Sequence, residues 1–509
     1  MKKVLYFAAI AAMFAACSSE ELADQSVVQQ DVNGAPVNFS IYTPRNVTRA
    51  GLDSTITTKS LKEGTHKDAG FGIFAYYTAG EKYDIKATPN FMYNQQVKWN
   101  GSKWAYEPVK YWPNEFGNGA ISDDIDYVTF FSYAPWVKVD PTTGYPDVTG
   151  VTDADELDLI QNKNITKLVK NTATGDPLVY YTVDIDPATS VDLLWGVAAK
   201  NDGTTSYYDP IYNGNQWQTM GVQVKPGFPF LNLVKPNDPV NNKINFNLRH
   251  ALAKMKITID YVADATLKPN TETGMGASAE IDTTKTRIYL RSVTLGGFAT
   301  KGVLNLNNEK DSIPNWKAAD GVSELDFTEV TFNDGRKDDK EGTTSGAASE
   351  ENALLNDTLV ENTAATVPVK VWKTDAAKSL GVWKEPKLLL KGDPSQNDGW
   401  FYVIPRNQET AVDLTVKYDV QTIDSMVAGK LADGATLGTI VEQVLTQTNI
   451  FGADDITSTK PMDIKAGYQY WIKIHIGMTS IKVDATVTPW KEPVKQATPT
   501  VPYNNDTQP

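Results

Sequence analysis

One cysteine and three histidines in 509 residues leave little material for cross-links or metal chemistry. With Cys17 alone no disulfide forms within a chain, and a Cys/His zinc site lacks ligands. Basic charge is also in deficit. Lys and Arg total 48 against 62 Asp and Glu, a net charge of −14. Nucleic-acid binding needs a basic footprint and is excluded as a general role. No apolar run reaches the roughly 20 residues that cross a bilayer as a helix. The sequence has no G-x-S-x-G, no H-E-x-x-H and no glycine-rich phosphate loop. No cofactor or metal is therefore expected, and of the enzymatic readings a surface hydrolase working through two facing carboxylates stays open. His66 falls in a polar loop, His250 at a strand end, and His475 alternates between Ile474 and Ile476. The acidic runs at 123–126 and 153–156 adjoin turn residues, where solvated loops account for them.

What is present is globular composition. Hydrophobic residues are 41% and charged residues 22%, which argues against wholesale disorder. Aromatics at 10% suit half-buried strand surfaces. Apolar and polar residues alternate along much of the chain, as in Val37-Asn38-Phe39-Ser40-Ile41. The stretch 71–77 reads as a buried strand. In 97–104 the pair Asn100-Gly101 between alternating arms predicts a two-residue type I′ hairpin. Residues 244–248 are expected to run on as strand through 255–259. Further strands are expected at 128–133, 286–295, 388–391, 401–404, 412–420, 468–476 and 481–487. Only 156–170 and 426–446 suggest helix. Many short strands with Gly/Asn/Pro turns define an all-β fold of β-sandwiches with few short helices.

The first residues read as an address. Lys2 and Lys3 precede an apolar stretch at 4–14, and Ala15-Ala16-Cys17 fits a signal-peptidase site with Cys17 as the acylated residue. Acidic Glu20 and Glu21 soon after resemble the surface-export signal of Bacteroidota lipoproteins. Acyl chains on Cys17 would be the membrane anchor. The expected organisation is a signal peptide at 1–17, a propeptide at 18–49, one sandwich at 50–242 and a second at 243–490. Residues 308–366, polar, acidic and Gly-rich, read as an insertion in the second sandwich. The Pro-containing tail, 491–509, is expected to be extended.

Several segments occur together in order. They are Phe91-Met92-Tyr93-Asn94-Gln95-Gln96-Val97, Trp104 to Pro113, Phe130-Phe131-Ser132-Tyr133-Ala134-Pro135 and Asp192-Leu193-Leu194-Trp195. Then come Phe246-Asn247-Leu248-Arg249-His250-Ala251-Leu252-Ala253-Lys254-Met255, Gly467-Tyr468-Gln469-Tyr470 and Val487-Thr488-Pro489-Trp490. This ordered set resembles the fimbrillin family of Bacteroidota, the pilins of type V pili. The resemblance implies two transthyretin-like β-sandwiches in tandem, lipoprotein export to the outer membrane and cell surface, and polymerisation with other pilus subunits. It implies no enzymatic activity, and a packing or hydrogen-bonding role for His250. Thr48-Arg49-Ala50 resembles the family's maturation site for an arginine-specific protease, with Arg45 an alternative. The cut would release the strand carrying Val37, Phe39 and Ile41. The donor that refills its place would come from a neighbouring subunit's C-terminal end. Ile481, Val483, Ala485 and Val487 alternate suitably, and the tail offers Val494 or Ala497, Val501 and Tyr503. A tip subunit that accepts but donates no strand is a further alternative. A competing reading is a monomeric surface lipoprotein that binds glycans through exposed Trp or Tyr.

Overall fold

The structure is a computed structural model. It describes residues 36–43, 56–64, 66–113, 126–152, 164–198, 225–234, 243–261, 267–269, 277–281, 286–319, 321, 323–327, 358–360, 369–371, 387–389, 399–406, 410–423, 438–452, 460–477 and 481–489. In chain order these begin with β1 (Phe39–Tyr42), α1 (Thr58–Lys62), β2 (Phe71–Ala79), β3 (Met92–Trp99), β4 (Trp104–Ala105) and β5 (Asp126–Ala134). Next are β6 (Ile165–Leu168), β7 (Leu178–Thr182), β8 (Leu194–Val197), β9 (Phe230–Leu233), β10 (Ile244–His250) and β11 (Ala253–Tyr261). Then come β12 (Leu267–Pro269), β13 (Ala277–Ile281), β14 (Thr286–Phe298), β15 (Lys301–Lys310), β16 (Ile313–Ala318) and β17 (Ser323–Asp326). The rest are β18 (Thr358–Val360), β19 (Val369–Val371), β20 (Lys387–Leu388), β21 (Phe401–Val403), β22 (Leu414–Ile423), β23 (Gly438–Gln447), β24 (Tyr468–Ile476) and β25 (Ile481–Pro489).

The chain is all-β, as its alternation predicts, with one short helix among the described residues. An N-terminal sheet runs β1-β10-β8-β5-β2-β3-β4, with β9 beside β5. Its central strands are buried on both faces. Along β2, Phe71, Ile73 and Ala75 enter one core, which also holds Phe130, Leu194 and Phe246. Phe74 and Tyr76 enter a second core with Phe131, Tyr133 and Trp195. The second core is closed by a four-stranded sheet, β16-β15-β7-β6, through Ile165, Val179, Tyr181, Leu304 and Leu306. A C-terminal sandwich packs β20-β11-β24-β25 against β17-β14-β22-β23 around Ile257, Ile288, Val293, Val416 and Ile472.

Four local readings change. The hairpin between β3 and β4 forms, with Trp99 opposite Trp104. Its turn sits one residue later than the Asn-Gly signal indicates. The amide of Asn100 donates to the Lys103 carbonyl at 3.0 Å, and Gly101, at φ +99°, takes the first central position. Asn100 instead caps the turn, its Oδ1 accepting from the amides of Ser102 and Lys103 at 3.1 and 2.9 Å. Of the helix expected at 156–170 the described part holds strand β6, and of that at 426–446 the described part is β23; residues 156–163 and 426–437 lie outside the described residues. In both, tertiary pairing overrides local preference: β23 pairs with β22 over ten positions. Residues 244–259 are two strands in different sheets, because the chain crosses over at Ala251-Leu252.

Strand pairing does not follow the line expected at 242/243. β10 lies beyond it, yet buries Ile244, Phe246 and Leu248 in the N-terminal core. Strand β15 likewise pairs with β7 from Lys301↔Thr182 to Asn305↔Leu178. Part of the stretch expected as a surface insertion, 308–318, therefore belongs to this sheet.

Candidate functional site

Val37, Phe39 and Ile41 are 0, 3 and 6% exposed, while Tyr42 on the opposite face is 46% exposed. The period-two pattern thus seats one face of β1 in the core. The Phe39 ring lies 5.4 Å from Tyr106 and 5.8 Å from Phe130. β1 is an edge strand, parallel to β10 from Phe39↔Ile244 to Tyr42↔Asn247. The amide of Ile244 donates to the carbonyl of Asn38 at 2.8 Å. Just before the strand the other edge is engaged as well. The Val37 amide donates to the Lys110 carbonyl at 2.9 Å, and Pro36 bridges Tyr111. The hydroxyl of Tyr106 donates to the Val37 carbonyl at 2.7 Å. The segment therefore occupies a slot between β10 and residues 110–111, over an aromatic floor.

After β1 the chain leaves the described residues at Thr43 and re-enters at Ile56. The two flanks are tied together. The Thr43 amide donates to Thr58 Oγ1 at 3.0 Å, and the two hydroxyls lie 2.8 Å apart. Helix α1 is fixed by a capping box between Thr57 and Ser60 at 2.8 and 3.0 Å. Ile56 and Leu61 are fully buried in the core that holds β1. Each flank thus has its own anchorage. Arg49 and Ala50 lie between them, outside the described residues, as do Cys17, Val494, Ala497 and Val501.

The other candidate donor lies in β25. That strand pairs with β24 at nine positions, from Tyr468↔Pro489 to Ile476↔Ile481. Ile481, Val483 and Val487 pack partly buried against the C-terminal core, while Ala485 is exposed.

His250 lies in β10, its Nδ1 2.8 Å from Asp192 Oδ2, with both side chains buried. Two of the ordered motifs, 192–195 and 246–255, meet in this pair. Asp192 also acts at a distance on His66, in the turn before β2. Desolvation holds the His66 pKa below its ordinary 6.5, with Asp192 opposing. The folded chain therefore binds this proton less readily than the unfolded chain. The stability involved is present above the unfolded value and is lost as pH falls through the folded one. The melting temperature should fall between pH 7.5 and 5.5, and His66→Gln should flatten that slope; equal slopes would refute the assignment.

The third histidine, His475, carries its Nδ1 on Asp260 and its Nε2 3.4 Å from Asp484, on the outer face of the C-terminal sheet. No group of three His, Cys, Asp or Glu suited to a metal ion occurs among the described residues. Alternation in the sequence marked Val37, Phe39 and Ile41 as one face, but a large cavity between the two halves was not legible there.

The fold and slot are those of an all-β chain whose first described strand pairs in parallel with a remote partner. In sequence, the fimbrium subunit Fim1C of Phocaeicola vulgatus is 34% identical over 125 residues, 24% of this chain and 27% of that protein. The match thus spans about a quarter of the length of that curated relative. No family model matches the chain. Among solved structures, a fimbrial protein from Bacteroides vulgatus aligns with 90% of this chain and 100% of its own, at 18% identity and a TM-score of 0.43. The fimbrial anchor protein Mfa2 from Porphyromonas gingivalis aligns with 90% and 98%, at 8% identity and a TM-score of 0.28. Both TM-scores lie below 0.5.

Proposed function

We propose that this chain is the precursor of a surface pilus subunit that supports adhesion. It is exported as a lipoprotein on Cys17, cut after Arg49 by an arginine-specific protease, and polymerised by strand exchange into the slot vacated by β1. The observation that carries this reading is the seating of β1. A short segment ahead of the proposed cut fills an apolar slot, pairs with a distant strand, and is linked to the rest of its core through residues 44–55. Once released, it would leave the unpaired edge of β10 beside an apolar trough, which invites strand addition. The contact between subunits would be head-to-tail and would extend to a filament. The home pairing of β25 favours the tail, with Val494, Ala497 and Val501, as the donor over Ile481–Val487. The similarity to Fim1C supports the same reading, as does the ordered set of fimbrillin-like motifs.

Maturation gives a direct test. Radioactive fatty acid should label the precursor but not Cys17→Ser, and assembled protein should begin at Ala50 on N-terminal sequencing. Label on Cys17→Ser, or assembled chains that begin at Cys17 or Ser18, would count against the scheme.

A further inference from the structure

A cavity of about 900 Å³ opens where the N-terminal half meets the C-terminal sandwich. Its walls come from the end of β10, the turn between β15 and β16, the segment after β21 and the segment before β24. The chain as a whole is strongly acidic, yet this cavity carries four Lys or Arg side chains against two Asp or Glu.

Arg406 and Asp463 set its chemistry. The backbone of Arg406 is clamped to Ile464 by two hydrogen bonds of 3.0 Å, which holds Arg406 beside the neighbouring Asp463. The Nε and Nη1 atoms of Arg406 are shielded from solvent and have no hydrogen-bond partner among the described residues. The same is true of Asp463 Oδ1. Buried charged groups left unsatisfied are costly, and a ligand that completes them recovers that cost. Burial lowers the Arg406 pKa, and Asp463 opposes the shift. A ligand that completes this pair would offer acceptors to the guanidinium and a donor to the carboxylate. Trp316 and Tyr468 add aromatic surface to the wall, and Ile313 is 55% exposed there. The Trp316 indole is held by donation from Nε1 to the Ala251 carbonyl at 2.7 Å.

We infer that this cavity binds an acidic saccharide, a glycan bearing uronic-acid residues. Its carboxylate and ring oxygens accept from Arg406 and the basic rim, a hydroxyl donates to Asp463, and a sugar C–H face packs on Trp316 or Tyr468. An acidic peptide fits less well, because it offers the carboxylates but no sugar C–H face to Trp316 and Tyr468. The site does not depend on cleavage at Arg49 or on polymerisation.

Titration calorimetry on the uncut chain, with an α-1,4-linked galacturonate trisaccharide as probe, tests the inference. The trisaccharide should bind with a Kd below about 1 mM, weakened by salt, and at least about tenfold more tightly than its neutral galactose counterpart. Arg406→Met and Asp463→Asn should each weaken it by about tenfold, while exposed Lys82→Gln should not. Arg406→Met keeps the backbone clamp and most of the side-chain stem, so the ligand-free melting temperature should hold or rise. Four results would overturn the inference: absence of binding, equal affinity for the neutral sugar, binding of tetra-aspartate in place of the uronate, or unchanged affinity in Arg406→Met. A marked loss of ligand-free stability in that variant would assign Arg406 a structural role instead.

Discussion

A chain that begins at Ala50, and so lacks β1, should lose roughly 5–9 kcal/mol of stability in its N-terminal half. The figure follows from three side chains, Val37, Phe39 and Ile41, each nearly or fully buried and each contributing about 1.5–3 kcal/mol. It is an upper value, since a real unfolded chain already hides some of this surface. Even so, it matches much of the stability of a whole domain, about 5–15 kcal/mol. Denaturant unfolding should show an early transition in the shortened chain that is absent from the precursor. A synthetic peptide of residues 35–43, added in trans, should restore the lost transition. The same peptide with Phe39→Asp should not, because it would bury a carboxylate between Tyr106 and Phe130. A shortened chain as stable as the precursor would mean that β1 is ornamental.

Asn94→Ala should cost about 3–5 kcal/mol, large for a residue bearing no apolar side chain. Asn94 lies within β3 at φ +44°, in the left-handed region where asparagine is tolerated and alanine is strained. Its Oδ1 accepts from the Tyr133 hydroxyl at 2.7 Å, and its Nδ2 donates to the Val137 carbonyl at 2.8 Å. Its own carbonyl accepts from Trp136 Nε1 at 2.9 Å. Truncation would strand two buried partners and strain the backbone as well. The Tyr133 ring cannot easily shift to compensate, because it lies over Gly72, where a Cβ would meet Tyr133 Cε1 at 2.3 Å. Asn94→Gly removes the same hydrogen bonds but not the backbone freedom, so it should cost about 1 kcal/mol less than Asn94→Ala. Equal losses in the two variants, read by denaturant unfolding, would remove the backbone from the explanation.

These contacts show why the motif around Asn94 was legible as a pattern while its cause was not. Alternation located most strands, because burial on one face imposes period two wherever a strand sits. It also marked Val37, Phe39 and Ile41 as one face. It carried no information on the partner of β1, since residue 39 pairs with residue 244 and such remote pairing leaves no local trace. The turn at Gly101 slipped by one residue, because the Asn100 side chain serves better as a cap than its backbone serves at positive φ. The cavity was hidden for a related reason. Arg406, Asp463 and Trp316 come from three separate segments, and only the fold brings them to one wall.

The central claim is that cutting after Arg49 converts a self-complemented precursor into a subunit that takes another subunit's strand. The most direct measurement treats purified precursor with an arginine-specific protease and follows it by SDS electrophoresis without boiling. Wild type should pass from one band to a ladder of SDS-resistant polymers, and a variant with Arg45→Ala and Arg49→Ala should remain a single band. Deleting residues 491–509 should abolish the ladder if the tail is the donor, as proposed; an unchanged ladder would move the donor to Ile481–Val487. Cleaved wild type that stays monomeric, or a ladder that forms equally without cleavage, would contradict the account.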